Sequence, residues 1–367
     1  MLLLSEEQKL LMESARGAVT ARAPVAEFRR LRADSRGEGF SRAFWRSCVE
    51  LGWTGVLVPV EYGGIDFGVV GAGLVAREMA RGLALSPFLS TSVLSASALA
   101  RAGSAAQKAD WLPRIARGEA VVALALDEGA RPGAIAAKAT RTASGFRLDG
   151  VKHLVLDGQA ADAMLIAVEC EGQAALLLAK ADATGLSRDA RTLVDGRRVA
   201  SLRLDGVSVD ADARLAGGAA TIEDIVDIGR AVVSAALCGV AEEAFSRTVR
   251  YLKERRQFDR RIGSFQALQH RAARMHIEIE NAWSASLKAM ESIEARSNSA
   301  ALDVAIAKAK ASETACAATA ECLQMHGGIG MTDEFDIGLF LKRARVDSVL
   351  FGDAAFHANR VATMLGY

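Results

Sequence analysis

From Ile222 almost to its end the chain keeps a helical hydrophobic period, over tracts longer than most helices of globular domains. Asp224 to Arg255 spans about eight turns. Gln266 to Glu294 and Ser299 to His326 follow as two further long helices. Tracts of this kind bury their apolar stripes against one another, so the last part of the chain predicts a helical bundle. Asn298 or Ser299 is placed to cap the third tract, and Gly327-Gly328 stops it.

The preceding stretch has a different period. Val121 to Leu126 is a buried-strand run, and Phe146 to Gly158 reads as two short strands about a turn at Asp149-Gly150. Ala163 to Val168, Ala174 to Ala179 and Val199 to Leu204 are further short strands, as in a small β-barrel or sandwich. Before Glu119 the pattern is helical. Ser5 and Gln8 have capping-box spacing ahead of a face formed by Leu10, Leu11, Ala15 and Ala18, and Pro24 marks a break. Phe40 to Leu51 predicts a helix with Phe44, Trp45 and Val49 inward and Gly52 just past its end. Gly71 to Arg81, Ser90 to Ala102 and Ser104 to Ile115 are the next helices, the last ended by Gly118. The expected class is α+β in three segments: helical 1–118, β 119–221 and a helical bundle 222–367.

Charge excludes several functions. Lys and Arg number 45 against 44 Asp and Glu, so no basic field points to nucleic acid and no acidic tail is present. The longest apolar run, Ala231 to Ala241, is about half the ~20 residues of a membrane span. Met1 to Gln8 lacks a basic n-region, so no secretory leader is expected and the expected location is the cytoplasm. The five cysteines have no metal spacing and read as reduced thiols.

Two short patterns interrupt the helical tracts. In Gln324-x-x-Gly327-Gly328-x-Gly330 the glycines follow a helix rather than a strand, so this is no βαβ dinucleotide fingerprint. A helix cap needs one glycine; the second and third are expected to permit close backbone approach, with Gln324 a turn earlier as a hydrogen-bonding group. In Arg255-Arg256-Gln257-Phe258, Arg255 has the chemistry to pair with a pyrophosphate and Phe258 to pack on an aromatic ring. Phe265-Gln266 adds a further ring and amide.

The order and spacing of these elements resemble the acyl-CoA dehydrogenases along essentially the whole chain. Leu4-Ser5-Glu6-Glu7-Gln8 looks like that family's opening, and Leu51-Gly52 through Val58-Pro59 to Glu61-Tyr62-Gly63-Gly64 looks like its first-domain loop. The resemblance implies FAD lying extended across a subunit interface, with the two C-terminal signatures of one subunit holding the ADP portion of the flavin seated in its neighbour. Carried over by position, the cofactor residues are Arg255, Gln257, Phe258, Ile262, Gln266, Gln324, Gly327 and Gly328, with Arg230 toward the substrate. Asp259 stands where the family usually has glycine.

The resemblance also implies α,β-dehydrogenation of an acyl thioester, in which a desolvated carboxylate removes the α-proton. The family's usual Glu lies in a Tyr-Glu-Gly-Thr turn, which here reads Leu350-Phe351-Gly352-Asp353. Its second usual location corresponds to Gly229, before Arg230. Phe351 and Gly229 accept no proton, which leaves Asp353, or Asp224 or Asp227 a turn before Gly229, as relocated alternatives. The flavin-seating loop corresponds to Leu126 through Gly133 and keeps little of the family pattern. The Trp-Ile-Thr strand reads Leu154-Val155-Leu156, without its platform or hydroxyl. This pattern resembles the base-lacking subunit of heteromeric acyl-CoA dehydrogenases. It implies an acyl-CoA substrate, a second dehydrogenase subunit in a dimer or tetramer, and electron transfer flavoprotein as acceptor. His326 and His357 are expected to serve packing or an interface rather than catalysis, and no metal is expected.

Overall fold

The computed structural model describes residues 4–34, 37–129 and 133–367. Met1, Leu2 and Leu3, part of the stretch read for a leader, lie outside them, as do Ala130, Arg131 and Pro132 of the loop after Leu126.

The Ser5 capping box opens α1 (Glu6–Arg22): Gln8 N donates to Ser5 Oγ at 3.2 Å and Ser5 N to Gln8 Oε1 at 2.9 Å. Pro24 separates α1 from α2 (Val25–Ala33). Ser41 caps α3 (Arg42–Glu50), which buries Phe44 and Trp45, and Gly52 follows with φ of 75°. Next comes α4 (Gly68–Arg81). The tract read as one helix from Ser90 to Ala102 is a π-helical segment, Phe88–Ser95, running into α5 (Ala96–Ala102). Its hydroxyls turn to strand backbone. Thr91 Oγ1 lies 3.1 Å from both N and O of Val122, and Ser95 Oγ donates to the same carbonyl at 2.8 Å. A second capping box, Ser104 with Gln107, opens α6 (Ala105–Ala116).

Among the described residues seven strands form one sheet: β1 (Val122–Ala125), β2 (Lys138–Arg141), β3 (Gly145–Leu156), β4 (Ala163–Cys170), β5 (Gln173–Lys180), β6 (Leu186–Thr192) and β7 (Arg198–Asp210). β5 runs antiparallel along one edge of β4, while β1 and β2 pair with β4 in parallel, one after the other. The order then continues β2, β3, β7, β6, all antiparallel. The expected turn at Asp149-Gly150 is absent. β3 passes through both residues, with a register irregularity against β7 between Leu148 and Gly150. Gly150 takes φ of 145°, and a Cβ there would stand 2.8 Å from Ala137 Cα, so the glycine serves close strand approach rather than reversal.

The long helical tracts form α7 (Ala219–Glu254), α8 (Gln266–Glu294) and α9 (Ala300–His326), followed by α10 (Ile337–Val349) and α11 (Ala354–Leu365). Ser299 precedes α9 but makes no side-chain cap; its hydroxyl donates instead to Asp303 Oδ2 at 2.9 Å. α9 packs on α8, α10 and α11.

The chain divides into two compact units. A sheet unit takes Arg29–Gly68 and Leu85–Gly229; a helical unit takes the residues up to Phe28, Val69–Ala84 and Arg230–Tyr367. In the sheet unit Trp45, Trp53, Phe146, Leu148, Leu165 and Ile166 are buried. In the helical unit alanine and glycine bring α4 and α7 together: a Cβ on Gly239 would lie 2.1 Å from the Arg77 carbonyl oxygen. Ion pairs tie α4 to both α1 and α7. Arg16 binds Glu78 at 3.1 Å; Arg81 reaches Glu78, Glu242 and Glu243 at 3.5, 2.7 and 3.0 Å; and Arg77 reaches Glu242 at 2.6 Å. The Arg77 guanidinium also sits over the Trp283 ring, 4.1 Å from its centroid.

Candidate functional site

α7 ends at Glu254, and the chain turns directly into a two-stranded hairpin of β8 (Arg256–Gln257) and β9 (Arg260–Arg261). The two residues between the strands, Phe258 and Asp259, have φ of 52° and 59°. Such a turn demands left-handed backbone at both central positions, and Asp tolerates it better than most residues. Asp259 can therefore stand where a glycine would be easiest. Cross-strand pairing sets Gln257 opposite Arg260 and Arg256 opposite Arg261, on alternate faces. Phe258 is 84% exposed, with its ring edge-on to Phe265 at 6.0 Å, and Arg260 lies over Phe265 at 4.1 Å. Arg255 and Gln266 are exposed and Ile262 half-buried.

At the end of α9, Gln324 is exposed. Gly327 adopts φ 66° and ψ −147°, a backbone region open essentially to glycine alone. A Cβ on Gly327 or Gly328 would meet nothing within 4 Å, so this chain leaves the approach to both backbones open. The third glycine differs from its expected role. A Cβ on Gly330 would stand 2.8 Å from the Leu323 carbonyl oxygen and 3.0 Å from His326 Cβ, so Gly330 serves the packing of its own loop.

Tyr251, one turn before Arg255, stacks on His326, the residue before Gly327, at 4.4 Å between ring centroids. The two signatures are therefore neighbours in space. His326 is buried, and its Nδ1 donates to the Cys322 carbonyl at 2.7 Å. Burial holds the ring below its ordinary pKa, and Nε2 has no hydrogen-bond partner among the described residues. His326 is a packing residue. The exposed guanidinium and amide groups, the exposed Phe258 ring and the open glycine backbone fit an external group that is anionic at one end and aromatic at the other.

The Leu350–Asp353 turn is built without a carboxylate at its apex. Phe351 takes φ of 59°, uncommon for a bulky side chain. Its carbonyl oxygen accepts from Arg230 Nε at 3.0 Å and from His357 Nε2 at 3.1 Å. The next carbonyl, Gly352, accepts from Lys308 Nζ at 3.0 Å, and the same ammonium donates to Ser348 O at 2.9 Å and contacts Ser312 Oγ at 3.1 Å. Arg230, Lys308 and His357 are all buried. Burial pulls Lys308 down to about 8, partly offset by Asp347. Burial, reinforced by Arg230 and Lys308, pulls His357 down to about 3, so that its imidazole is neutral. Asp353 is exposed and its carboxylate caps α11, accepting from Phe356 N at 2.8 Å. Gly229 is a buried helical position of α7, Asp227 is buried and Asp224 exposed. Sequence reasoning missed Lys308. Its signal was a lone lysine in phase with the apolar stripe of Val304, Ala311 and Ala315.

In the sheet unit, the loop after Leu126 is anchored by Glu128. Its carboxylate accepts from Ala136 N at 2.6 Å and Ala137 N at 3.0 Å and pairs with Lys152, whose ammonium also donates to Leu126 O at 3.1 Å. Lys152 is fully buried, and burial lowers its pKa against the pull of Glu128. Leu154 is 49% exposed with φ of 53°, whereas Leu156 is buried and paired with Val199. Neither offers an aromatic face or a hydroxyl.

Comparison with known proteins identifies the family. The family models for the acyl-CoA dehydrogenase N-terminal and C-terminal domains match residues 5–119 and 216–366. Acyl-CoA dehydrogenase FadE27 of Mycobacterium tuberculosis is 30% identical over 340 residues, covering 90% of each chain. A chain of the ChsE4-ChsE5 complex from Mycobacterium tuberculosis superposes with a TM-score of 0.90 at 28% identity, over 99% of this chain and 98% of that one. A glutaryl-CoA dehydrogenase from Mycobacterium smegmatis, solved with FADH2, shares the fold with a TM-score of 0.89 at 23% identity, over 99% of this chain and 95% of that one. Matched in both its terminal domains and along nine-tenths of a 30% identical relative, the chain belongs to the acyl-CoA dehydrogenase family.

Proposed function

We propose that this chain takes part in FAD-dependent α,β-dehydrogenation of an acyl-CoA thioester as the subunit of a heteromer that lacks the catalytic Glu. The observation that carries the reading is the turn at Phe351, held in shape by Arg230 and His357 with no proton acceptor at its apex. The only carboxylate in that turn, Asp353, is exposed and occupied as a helix cap, the opposite of a desolvated base.

Bound FAD supplies the hydride acceptor. The residues of this chain that would hold its ADP portion are Arg255 at the phosphates, Gln257, Gln266 and Gln324 as amide partners, Phe258 and Ile262 at the ring, and the backbones of Gly327 and Gly328. Arg230 is the candidate on the acyl-CoA side. A second acyl-CoA dehydrogenase subunit supplies the base and the flavin-ring seat, in keeping with the two-chain ChsE4-ChsE5 neighbour. Electron transfer flavoprotein is the acceptor in this reading, the cytoplasm the location, and a bulky acyl chain such as a steroid side chain the substrate class. The division into 1–118, 119–221 and 222–367 belongs to the same reading.

The test is to purify the chain alone and together with a neighbouring dehydrogenase subunit, and to record the visible spectrum and its bleaching by acyl-CoA. The expected result is flavin retention and bleaching only for the pair. A chain that is yellow and bleaches alone would transfer the chemistry to a relocated carboxylate. A pair that never bleaches would leave an assembly role only.

A further inference from the structure

Two separate stretches, the Arg255 hairpin and the Gly327 loop, must sit at a fixed spacing to grip one nucleotide. The structure contains a device that fixes this spacing. Tyr251 lies one turn before Arg255 and stacks on His326, with its hydroxyl 3.4 Å from the His326 carbonyl oxygen. Phe335, beyond the glycine loop, meets the Tyr251 ring edge-on at 6.0 Å and the His326 ring at 5.1 Å. One turn earlier on α7, Arg247 donates to Glu243 at 2.9 Å and to Asp336 at 2.8 Å, with its guanidinium over Phe340 at 5.2 Å. Asp336 directly precedes α10. The connection from His326 to Asp336 is thus tied at both ends to the last turns of α7, and those turns carry the hairpin.

We propose that Tyr251 and Arg247 are positioning residues that register the Arg255 hairpin against the Gly327 loop. This rests on the reading that the two elements bind one ADP group. Neither residue touches the nucleotide in this scheme. Tyr251 sets the lateral spacing through a ring stack, and Arg247 sets the tilt of the loop through an ion pair that bridges α7 and the start of α10. The half-exposed Arg247 pairs are worth little as surface ion pairs for stability, yet they fix direction because one guanidinium holds two carboxylates on different elements.

The probe is ADP, titrated calorimetrically into the full chain, with thermal unfolding recorded in parallel. Arg247→Met and Tyr251→Ala are expected to weaken ADP binding by about tenfold or more, the scale of one misdirected charge-assisted bond. Tyr251→Phe keeps the ring and is expected to retain affinity. The discriminating measurement is a double-mutant cycle with Arg255→Gln. If Tyr251 and Arg247 act through the aim of Arg255, their effect on affinity shrinks to near nothing in the Arg255→Gln background. Unchanged affinity in Arg247→Met and Tyr251→Ala would overturn the inference. So would a loss fully additive with Arg255→Gln, which is what general destabilisation produces. Should Tyr251→Ala fail to fold, Arg247→Met in the same cycle decides. Wild-type chain that binds no ADP would overturn the nucleotide reading itself. Wild-type binding with indifferent variants would overturn only the positioning role.

Discussion

Lys308 allows a prediction whose sign can be worked out from the structure. Its ammonium is fully buried and donates to the carbonyls of Ser348 and Gly352, and burial lowers its pKa from 10.5 to about 8. Between these two values the unfolded chain keeps a proton that the native chain has released, so native stability rises with pH across that window. The interval is worth roughly 3 kcal/mol. The contribution is fully present above about pH 10.5 and is lost by pH 8. Lys308→Met removes this dependence. At pH 7 it also relieves the burial of a charge, which offsets much of the cost of leaving two carbonyls without this donor, about 1–3 kcal/mol each. Wild type and Lys308→Met should therefore lie within about 2 kcal/mol of each other at pH 7. By pH 10 the difference should have moved in favour of wild type by about 3 kcal/mol. Urea unfolding followed by circular dichroism at pH 7, 8.5 and 10 on both chains measures it. Taking the difference cancels thiols such as Cys238, pushed up to about 11 by burial. A difference that stays flat across the three pH values would refute the reasoning.

Gly239→Ala would set a methyl group 2.1 Å from the Arg77 carbonyl oxygen, with backbone on both sides and nothing flexible to yield; a loss of at least about 3 kcal/mol is expected in thermal unfolding. Asp259→Gly relieves left-handed backbone at an exposed turn and should raise stability by up to about 1 kcal/mol, read from the urea midpoint. Burial pushes Glu242 up, but Arg77 and Arg81 more than offset it and hold the carboxyl below 4.5, so its contribution is complete above that pH and is lost as pH falls further. In Arg77→Met the acid limb of the stability profile should be shallower than in wild type. His326→Phe keeps the ring stack and removes a buried nitrogen without a partner; stability is expected to change by less than about 1 kcal/mol, and a larger loss would mean that the Nδ1 bond to Cys322 matters more than the stack.

Much of the fold was legible because local rules and tertiary packing agree along most of the chain. Ser5 with Gln8 announced a helix start that the structure forms atom for atom, and the α8 limits Gln266 and Glu294 followed from period alone. The failures have physical causes. β6 is an edge strand exposed along nearly its whole length, so Leu186 to Thr192 carries no apolar alternation to read. Asp149-Gly150 has the composition of a turn, yet the glycine is there for Ala137, just before the neighbouring strand β2, a reason that lies outside its own segment. Gly330 looked like part of an open approach because its neighbours Gly327 and Gly328 are; only the position of Leu323 separates them. At the Leu350–Asp353 turn, the sequence displays the phenylalanine at 351 but not the three donors that hold the turn's shape. Arg230, Lys308 and His357 come from α7, α9 and α11, and nothing in one dimension brings them together.

The way the chain is shared between the two units bears on how it emerges from the ribosome. Synthesis runs from the N-terminus at about 5–20 residues per second, and domains fold as units when their residues are available. Every residue of the sheet unit has been made by Gly229, so that unit can condense while translation continues. The helical unit begins earlier and finishes last. α1 and α4 are ready long before α7, yet Arg77 and Arg81 find their ion partners Glu242 and Glu243 only after those residues appear. During that interval α4, buried along nearly its whole length in the finished protein, has only α1 of its own unit's helices to pack against. A nascent chain halted near Gly229 is therefore the form of this protein with the greatest need of a chaperone.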